Sequence, residues 1–339
     1  MKDLRHSYQN SIVINGSARS GTTWLWEIFC TIKNSLPLYE PTDSRYEEAK
    51  KLQCWYRYLN PERNYPEIKN YFKMILTGQV RKIKRSYESG SRLCNEYLLL
   101  RERISQFKFC LHRLPVIKFV RGHFFLNYLQ VNFSPKIITI LRHPCAALES
   151  ALRVGLIDPG FETMLGDRNK ELFKNYPDLM EKCRKSLELL KFKESYFNGQ
   201  TSKIRIGKRY IIKWCISNCF MINEIKRNRL KATVTFYENL FQNPTFEINK
   251  ICKFWDIEYD KRMTSRINIA SVSAHKDSPL KKKENITVLN QWKKSLEPEL
   301  QDFTFTILDL FDLDIYNHHE HPNKNSKFVE YISKSVLNK

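Results

Sequence analysis

The chain has 339 residues, 42% of them hydrophobic, and 57 Lys and Arg against 36 Asp and Glu give it a formal net charge of +21. This length and apolar content exclude a disordered segment or a stapled mini-protein and allow a large core, while no stretch reaches the roughly 18 apolar residues of a membrane span. The basic excess predicts attraction to polyanions, anionic membrane surfaces or anionic small ligands without choosing among them, and from Lys69 to Arg85, Lys191 to Arg209 and Lys276 to Lys283 a solvated surface accounts for it.

Met1 to Asn10 is polar and does not read as a secretory signal, which gives the expectation of a cytoplasmic protein. The first apolar run, Ser11 to Ile14, reads as a strand, and Trp24 to Lys33 as a helix with Leu25, Ile28, Phe29 and Ile32 on one face. Between them lies Gly16-Ser-Ala-Arg-Ser-Gly-Thr-Thr23, a glycine-bounded turn that directs backbone N–H groups and a positive helix end at one point. That is an anion cradle. Its spacing is that of a Walker A loop, but Thr22 stands where that motif requires Lys, so a nucleoside triphosphatase is disfavoured. Arg19 supplies a cation from inside the loop.

Residues 45–110 are rich in Tyr, Lys and Arg, with helical periodicity near Tyr71 to Ile83, and read as an inserted helical cap able to shape a pocket. Val116 to Val120 and Lys136 to Leu141 read as strands buried on both faces. The second of these strands ends at Arg142, with Pro144 opening a helix that carries Ser150, so both residues stand at the sheet edge where ligands of open α/β sheets bind. Further helices are expected at Lys213 to Asn223, Pro244 to Phe254 and Pro298 to Leu313, with a strand at Ala232 to Phe236. The segment 317–339 reads as a polar, irregular tail whose His318, His319 and His321 are solvated. The nine cysteines include no Cys-x-x-Cys pair and read as buried thiols, not as a disulfide framework or a zinc site.

Several of these segments, in order, resemble the PAPS-dependent sulfotransferases. Ser17-Ala-Arg-Ser-Gly-Thr-Thr-Trp24 resembles the 5′-phosphosulfate loop in its Arg variant, and Arg142 with Ser150 eight residues later resembles the 3′-phosphate motif. Phe236-Tyr-Glu-Asn-Leu240 with Asn243-Pro244 resembles the strand-end motif whose Tyr approaches the nucleotide, and Gln291-Trp-Lys-Lys-Ser-Leu296 a motif that closes over it. Lys118, 24 residues before Arg142, matches the spacing of the catalytic lysine. The resemblance implies one domain over residues 1–339 with a P-loop-NTPase-like three-layer α/β fold: about five parallel strands and the cap. It further implies 3′-phosphoadenylyl sulfate (PAPS) as donor, adenosine 3′,5′-bisphosphate (PAP) as product and no required metal.

On that resemblance Arg19 and Lys118 hold the charge that grows on the sulfuryl and bridging oxygens. Ser20, Gly21, Thr22 and Thr23 bind the 5′-phosphate, Tyr237 lies near the adenine or ribose, and Trp24 stacks on the adenine or packs under the loop. Ser273, Lys281, Lys282 and Lys283 are candidates for the 3′-phosphate and adenine.

Two bases remain open. The cytosolic branch places a His two positions after its lysine, where this chain has Val120. Glu40, in Leu38-Tyr-Glu-Pro41, resembles the acidic base of the carbohydrate and tyrosyl-protein types, and Pro41 disfavours a helical conformation at that carboxylate. His123 is the other candidate; on a helix opening near Arg121 it faces solvent or caps the helix. The expected acceptor is a hydroxyl or amine of a small metabolite or carbohydrate. Alternatives are a tyrosyl-protein acceptor, a small-molecule kinase on the same fold, or a polyanion-binding module, and no nucleic-acid partner is expected.

Overall fold

Uninterrupted apolar runs build the strands, because each is covered on both faces. β1 (Ile12–Gly16), β2 (Ser35–Tyr39), β3 (Leu114–Phe119), β4 (Lys136–Leu141) and β5 (Thr233–Phe236) form one sheet in the order β2-β3-β1-β4-β5. Every neighbouring pair is parallel, with Ile14 opposite Lys118 on one side and Ile138 on the other. The computed structural model describes residues 8–43, 46–79, 114–155, 160–194, 201–227, 229–269, 271 and 287–337.

Side chains alternate between two cores. Val13, Ile117, Ile137 and Leu141 join a cluster that takes in Phe72, Phe125, Leu148, Ile211 and Leu300. Ile12, Ile14, Ile138 and Ile140 face the opposite way, onto Leu25, Phe29, Ile248 and Ile251. Full burial of each such side chain contributes about 1.5–3 kcal/mol, so helices cover both faces and the layers are helix, sheet, helix. This is the α/β architecture expected from the sequence.

Several local expectations change. The loop helix spans Thr22–Phe29, starting two residues before Trp24 and ending before Ile32. β2 was not expected; it contains Pro37 and lies at the sheet edge, where a missing N–H costs no ladder bond. The expected helix at Lys213 is the second half of a longer one, Thr201–Lys226. The segment after Asn317 is not wholly irregular: Lys327–Leu337 is a helix, with Phe328 and Ile332 buried in the first core. Within residues 45–110, Glu47–Leu52 and Pro66–Leu76 are helices, and Ile68, Phe72 and Ile75 bury one stripe against Phe119 and Phe125; residues 80–110 lie outside the described part. The seven described cysteines are all buried thiols.

Candidate active site

Parallel strands end at one edge, so the residues that follow β1, β2, β4 and β5, together with Lys118 near the end of β3, gather there. These are the loop from Ser17 to Gly21, Glu40, Arg142 and Tyr237.

The loop is fixed by backbone geometry. Ser20 N–H donates to Ser17 O at 3.1 Å, and Arg19 and Gly21 both take positive φ, 65° and 88°. A Cβ at position 21 would meet Tyr237 Cδ2 at 2.5 Å, so the loop needs glycine there for both reasons. The helix that follows has Gly21 as its N-cap and no side-chain cap bond, which leaves N–H groups of its first turn for an anion. Arg19 Nε donates to Ser150 Oγ at 3.1 Å, and Arg142 Nη1 donates to Arg19 O at 2.9 Å. The Arg142 guanidinium also sits 4.3 Å from the Tyr237 ring centre. Thus Arg142, Ser150 and Tyr237, distant in sequence, meet around Arg19. Burial, and then the nearby charge of Arg142, lowers the Arg19 pKa from its ordinary value. Trp24 is buried and meets Tyr237 edge-on at 6.3 Å, under the loop.

A second cluster stands at the ends of β2 and β3. Glu40 takes φ 47°, and its N–H donates to Lys118 O at 2.9 Å, which extends the strand pairing by one residue. Its Oε1 accepts from Lys118 Nζ at 2.6 Å. Burial pushes the Glu40 carboxyl up, but the charges of Lys118 and Arg121 outweigh it and hold the group below its usual range. Burial likewise pulls Lys118 down, and Glu40 and Tyr39 reverse that, leaving the ammonium above its ordinary value. Lys118 Nζ also stands 3.8 Å from the Tyr39 ring centre. Arg121 Nη1 lies 3.7 Å from Glu40 Oε2 and 3.2 Å from Asp43 Oδ2, with its guanidinium 4.2 Å from the Trp55 ring centre. Sequence reasoning missed Arg121, Asp43 and Tyr39, although each lies within three residues of a residue it named.

His123 corrects an expectation. It neither faces solvent nor caps a regular helix: it opens a short 3-10 turn, His123–Phe125, and is 2% exposed because Phe124 and Phe125 carry the turn into the core. Burial pushes its pKa down to about 3, with Asn218 offsetting only part. Neither ring nitrogen has a hydrogen-bond partner in ordinary geometry among the described residues.

Behind the loop runs the helix Thr201–Lys226. Tyr210 OH donates to Ala18 O at 2.6 Å, and Asn218 Nδ2 donates to Ser17 Oγ at 3.1 Å. These two residues, eight apart, lie on one helix face. A polar stripe inside an otherwise apolar helical run was the available signal for them. A separate network fixes the start of the helix Pro144–Arg153. His143 Nδ1 accepts from Cys145 N–H at 3.2 Å, and its Nε2 lies 2.9 Å from Asn317 O, which makes Nε2 the protonated nitrogen. Glu238 accepts from His143 N–H and from Tyr316 OH, each at 2.9 Å. Ser273, Lys281, Lys282 and Lys283 lie outside the described residues.

The residues fit a doubly anionic nucleotide donor. Ser20 Oγ and Arg142 Nε are buried polar atoms without a partner among the described residues, on either side of Arg19 in the loop cluster. Tyr237 packs against the loop at Gly21. No group of three or more His, Cys, Asp or Glu side chains placed to hold a metal occurs among the described residues, and no described helix is long and apolar enough to cross a membrane.

Comparison with known proteins bears on this arrangement. No curated protein matches the chain. Among solved structures it is similar to the sulfotransferase domain from the Synechococcus PCC 7002 olefin synthase, at 15% identity and a TM-score of 0.45, over 91% of this chain and 95% of that one. It is similar also to the sulfotransferase domain from the curacin biosynthetic pathway, at 16% identity and a TM-score of 0.45, over 89% of this chain and 97% of that one. The family model for the sulfotransferase domain matches residues 9–302, nearly the whole chain. The chain therefore belongs to the sulfotransferase domain family, whose members are enzymes that move a sulfuryl group, and the kinase and polyanion-binding readings of its sequence give way to that.

Proposed function

We propose that this enzyme transfers a sulfuryl group from PAPS to a hydroxyl or amine of a small metabolite or carbohydrate, with Glu40 taking the acceptor proton. The observation that carries the reading is the 2.6 Å pair of Lys118 Nζ and Glu40 Oε1 at the same sheet edge as the Arg19 loop. The family generally takes PAPS as donor and releases PAP. When bound, PAPS supplies an activated sulfuryl group on a phosphate leaving group.

The chain's residues divide that work. The first-turn N–H groups of the loop helix and the Thr22 and Thr23 hydroxyls hold the 5′-phosphate. Arg142 and Ser150 take the 3′-phosphate, Tyr237 and Trp24 wall the nucleoside, and Ser273 and Lys281 to Lys283 are further donor contacts on the sequence reading alone. Glu40 is held as a carboxylate, which is the form a base requires. When Glu40 takes a proton its charge vanishes, and Lys118, until then neutralised by it, presents a full positive charge to the oxygens on which negative charge is growing. Arg19 does the same from the loop side. His123 is the weaker base. A proton there would create a new buried cation, whereas a proton on Glu40 removes a buried charge.

The test is transfer itself. Full-length protein is incubated with radiolabelled PAPS and a panel of hydroxylated and amino acceptors, and products are identified by mass spectrometry. Glu40→Gln should lose transfer and keep PAP binding; a fully active Glu40→Gln protein returns the role to His123.

A further inference from the structure

Glu40 leaves β2 through a turn that closes on itself: Asp43 N–H donates to Glu40 O at 2.9 Å, which keeps the two acidic residues at the same end of the strand. Arg121 reaches both from the neighbouring strand, two residues past the end of β3 and three past Lys118. Lys118 Nζ meets Glu40 Oε1 at 2.6 Å, and Arg121 Nη1 stands 3.7 Å from the other oxygen, Oε2. Each carboxylate oxygen thus faces a different cation. The same Nη1 donates to Asp43 Oδ2 at 3.2 Å. The cap adds an aromatic face: the guanidinium lies 4.2 Å from the Trp55 ring centre and 5.9 Å from that of Tyr56, two rings stacked at 25°.

These distances give the two cations different work. A bond of 2.6 Å ties one oxygen, but the last torsion of a Glu side chain is soft, so that bond alone leaves the carboxylate plane loosely defined. At 3.7 Å Arg121 Nη1 is too far for a hydrogen bond to Oε2 and close enough for an ion pair. It therefore favours one orientation of the plane without adding a bond that proton transfer would have to break. Asp43 on one side and the Trp55 face on the other hold the guanidinium there. Asp43 has a second effect, because a carboxylate that shares Arg121 reduces the positive charge that Glu40 meets. Burial raises the Glu40 pKa, Lys118 and then Arg121 carry it below its ordinary value, and Asp43 pushes back upward. Tyr39 faces the pair through its ring, 3.8 Å from Lys118 Nζ.

We propose that Arg121 is a positioning residue that fixes the plane in which Glu40 meets the acceptor proton, and that Asp43 keeps Glu40 basic by sharing the Arg121 charge. The inference rests on the reading of Glu40 as the base, while the link from Arg121 and Asp43 to the Glu40 carboxylate is measured without turnover. Arginine suits this place because its flat fork faces two carboxylates and stacks on Trp55 at once, whereas a lysine would supply the charge alone.

Full-length protein labelled with carbon-13 at the glutamate carboxyl carbon is titrated by NMR, the Glu40 signal being the one that Glu40→Gln removes. PAPS hydrolysis, with water as the acceptor, is followed alongside as PAP release. Arg121→Met should move the Glu40 midpoint up by about one pH unit, and Asp43→Asn should move it down. Arg121→Lys should keep the midpoint close to wild type yet lower kcat for hydrolysis roughly 10–100-fold with KM for PAPS unchanged, since it keeps the charge and loses the fork. A merely structural role would leave the midpoint in place in every folded variant. If Arg121→Met fails to fold, Asp43→Asn and Arg121→Lys decide, and if wild type hydrolyses no PAPS the midpoints decide alone. Unchanged midpoints, or Arg121→Lys with the wild-type kcat, overturn the proposal and leave Glu40 as base. Full hydrolysis by Glu40→Gln instead removes the base itself, and the positioning role with it.

Discussion

Lys118 Nζ lies 2.6 Å from Glu40 Oε1, with the lysine 2% and the carboxylate 12% exposed. Burial opposes the charge on both, and each keeps its charge because of the other. The pair is therefore a single electrostatic unit at the ends of two adjacent strands, and changing one member changes what the other can do.

Glu40→Gln should lower kcat by roughly 10²–10⁴-fold, the usual contribution of a positioned base. PAP should still bind, because the loop, Arg142 and Ser150 that hold its phosphates in this reading are unchanged. Gln keeps an oxygen for Lys118, so its stability loss should be smaller than that of Glu40→Leu, for which the cost of breaking a buried pair, about 3–5 kcal/mol, is expected. Urea unfolding of the two variants measures the difference.

The pH dependence of kcat/KM should be broad. The Glu40 pKa lies below its ordinary 4.5, so the acid limb should fall below that value; Lys118 lies above 10.5, so its charge is lost only beyond it. The pair's stabilisation follows the same bounds. Glu40's share is full above pH 4.5 and lost as pH falls through its folded value, and Lys118's share is full below pH 10.5 and lost as pH rises through its own. With an acceptor that does not titrate in this window, an acid limb centred near 6.5 would contradict Glu40 as base.

Much of this site was legible in the sequence because short segments carry it. The loop from Gly16 to Thr23, Arg142 at the end of β4, and Glu40 before Pro41 are all local patterns of residue type and turn chemistry. What escaped depends on packing across the chain. β2 was hidden by Pro37, which only an edge position tolerates. His123 was expected to face solvent or cap a helix opening near Arg121, whereas the two phenylalanines that follow it carry it into the core. Lys213 and Tyr210 sit in a helix whose first half is highly charged, so the polar stripe marks this face without telling that it meets the loop and not water.

Stability should rise with pH between about 4 and 6.5, since folding holds two histidines neutral: burial pushes His123 down to about 3 and His143 down to about 4. In that window the unfolded chain binds protons at both and the native chain does not, so the slope is positive. Glu238 opposes it. Burial raises its carboxyl to about 7, so from pH 4.5 upward the native state holds a proton that the unfolded state has released. Glu238→Gln should steepen the rise, and denaturant midpoints at half-unit pH steps will show whether it does.

Gly21→Ala should weaken PAP binding at least tenfold, because a positive φ on a residue with a Cβ costs roughly 1–3 kcal/mol and the new methyl meets the Tyr237 ring. Tyr237→Ala in the same chain should relieve the clash but not the backbone strain. The double variant should therefore recover part of the affinity that Gly21→Ala loses relative to Tyr237→Ala alone. Full recovery would mean that the backbone at position 21 is unstrained.

Arg142 makes two contacts that a lysine cannot combine, and has one N–H to spare. Its Nη1 bonds Arg19 O, its guanidinium lies over Tyr237, and its Nε has no partner among the described residues. Arg142→Lys keeps the charge and loses the planar fork. Loss of a charge-assisted hydrogen bond, about 1.5–3 kcal/mol, corresponds to a drop of roughly 10–100-fold in PAP affinity. The comparison that gives this meaning is with adenosine 5′-monophosphate, which lacks the 3′-phosphate. If Arg142 reads the 3′-phosphate, the variant should bind the monophosphate nearly as well as wild type does and lose its preference for PAP. Equal losses for both nucleotides would show that Arg142 acts only through the Arg19 carbonyl, as a brace for the loop.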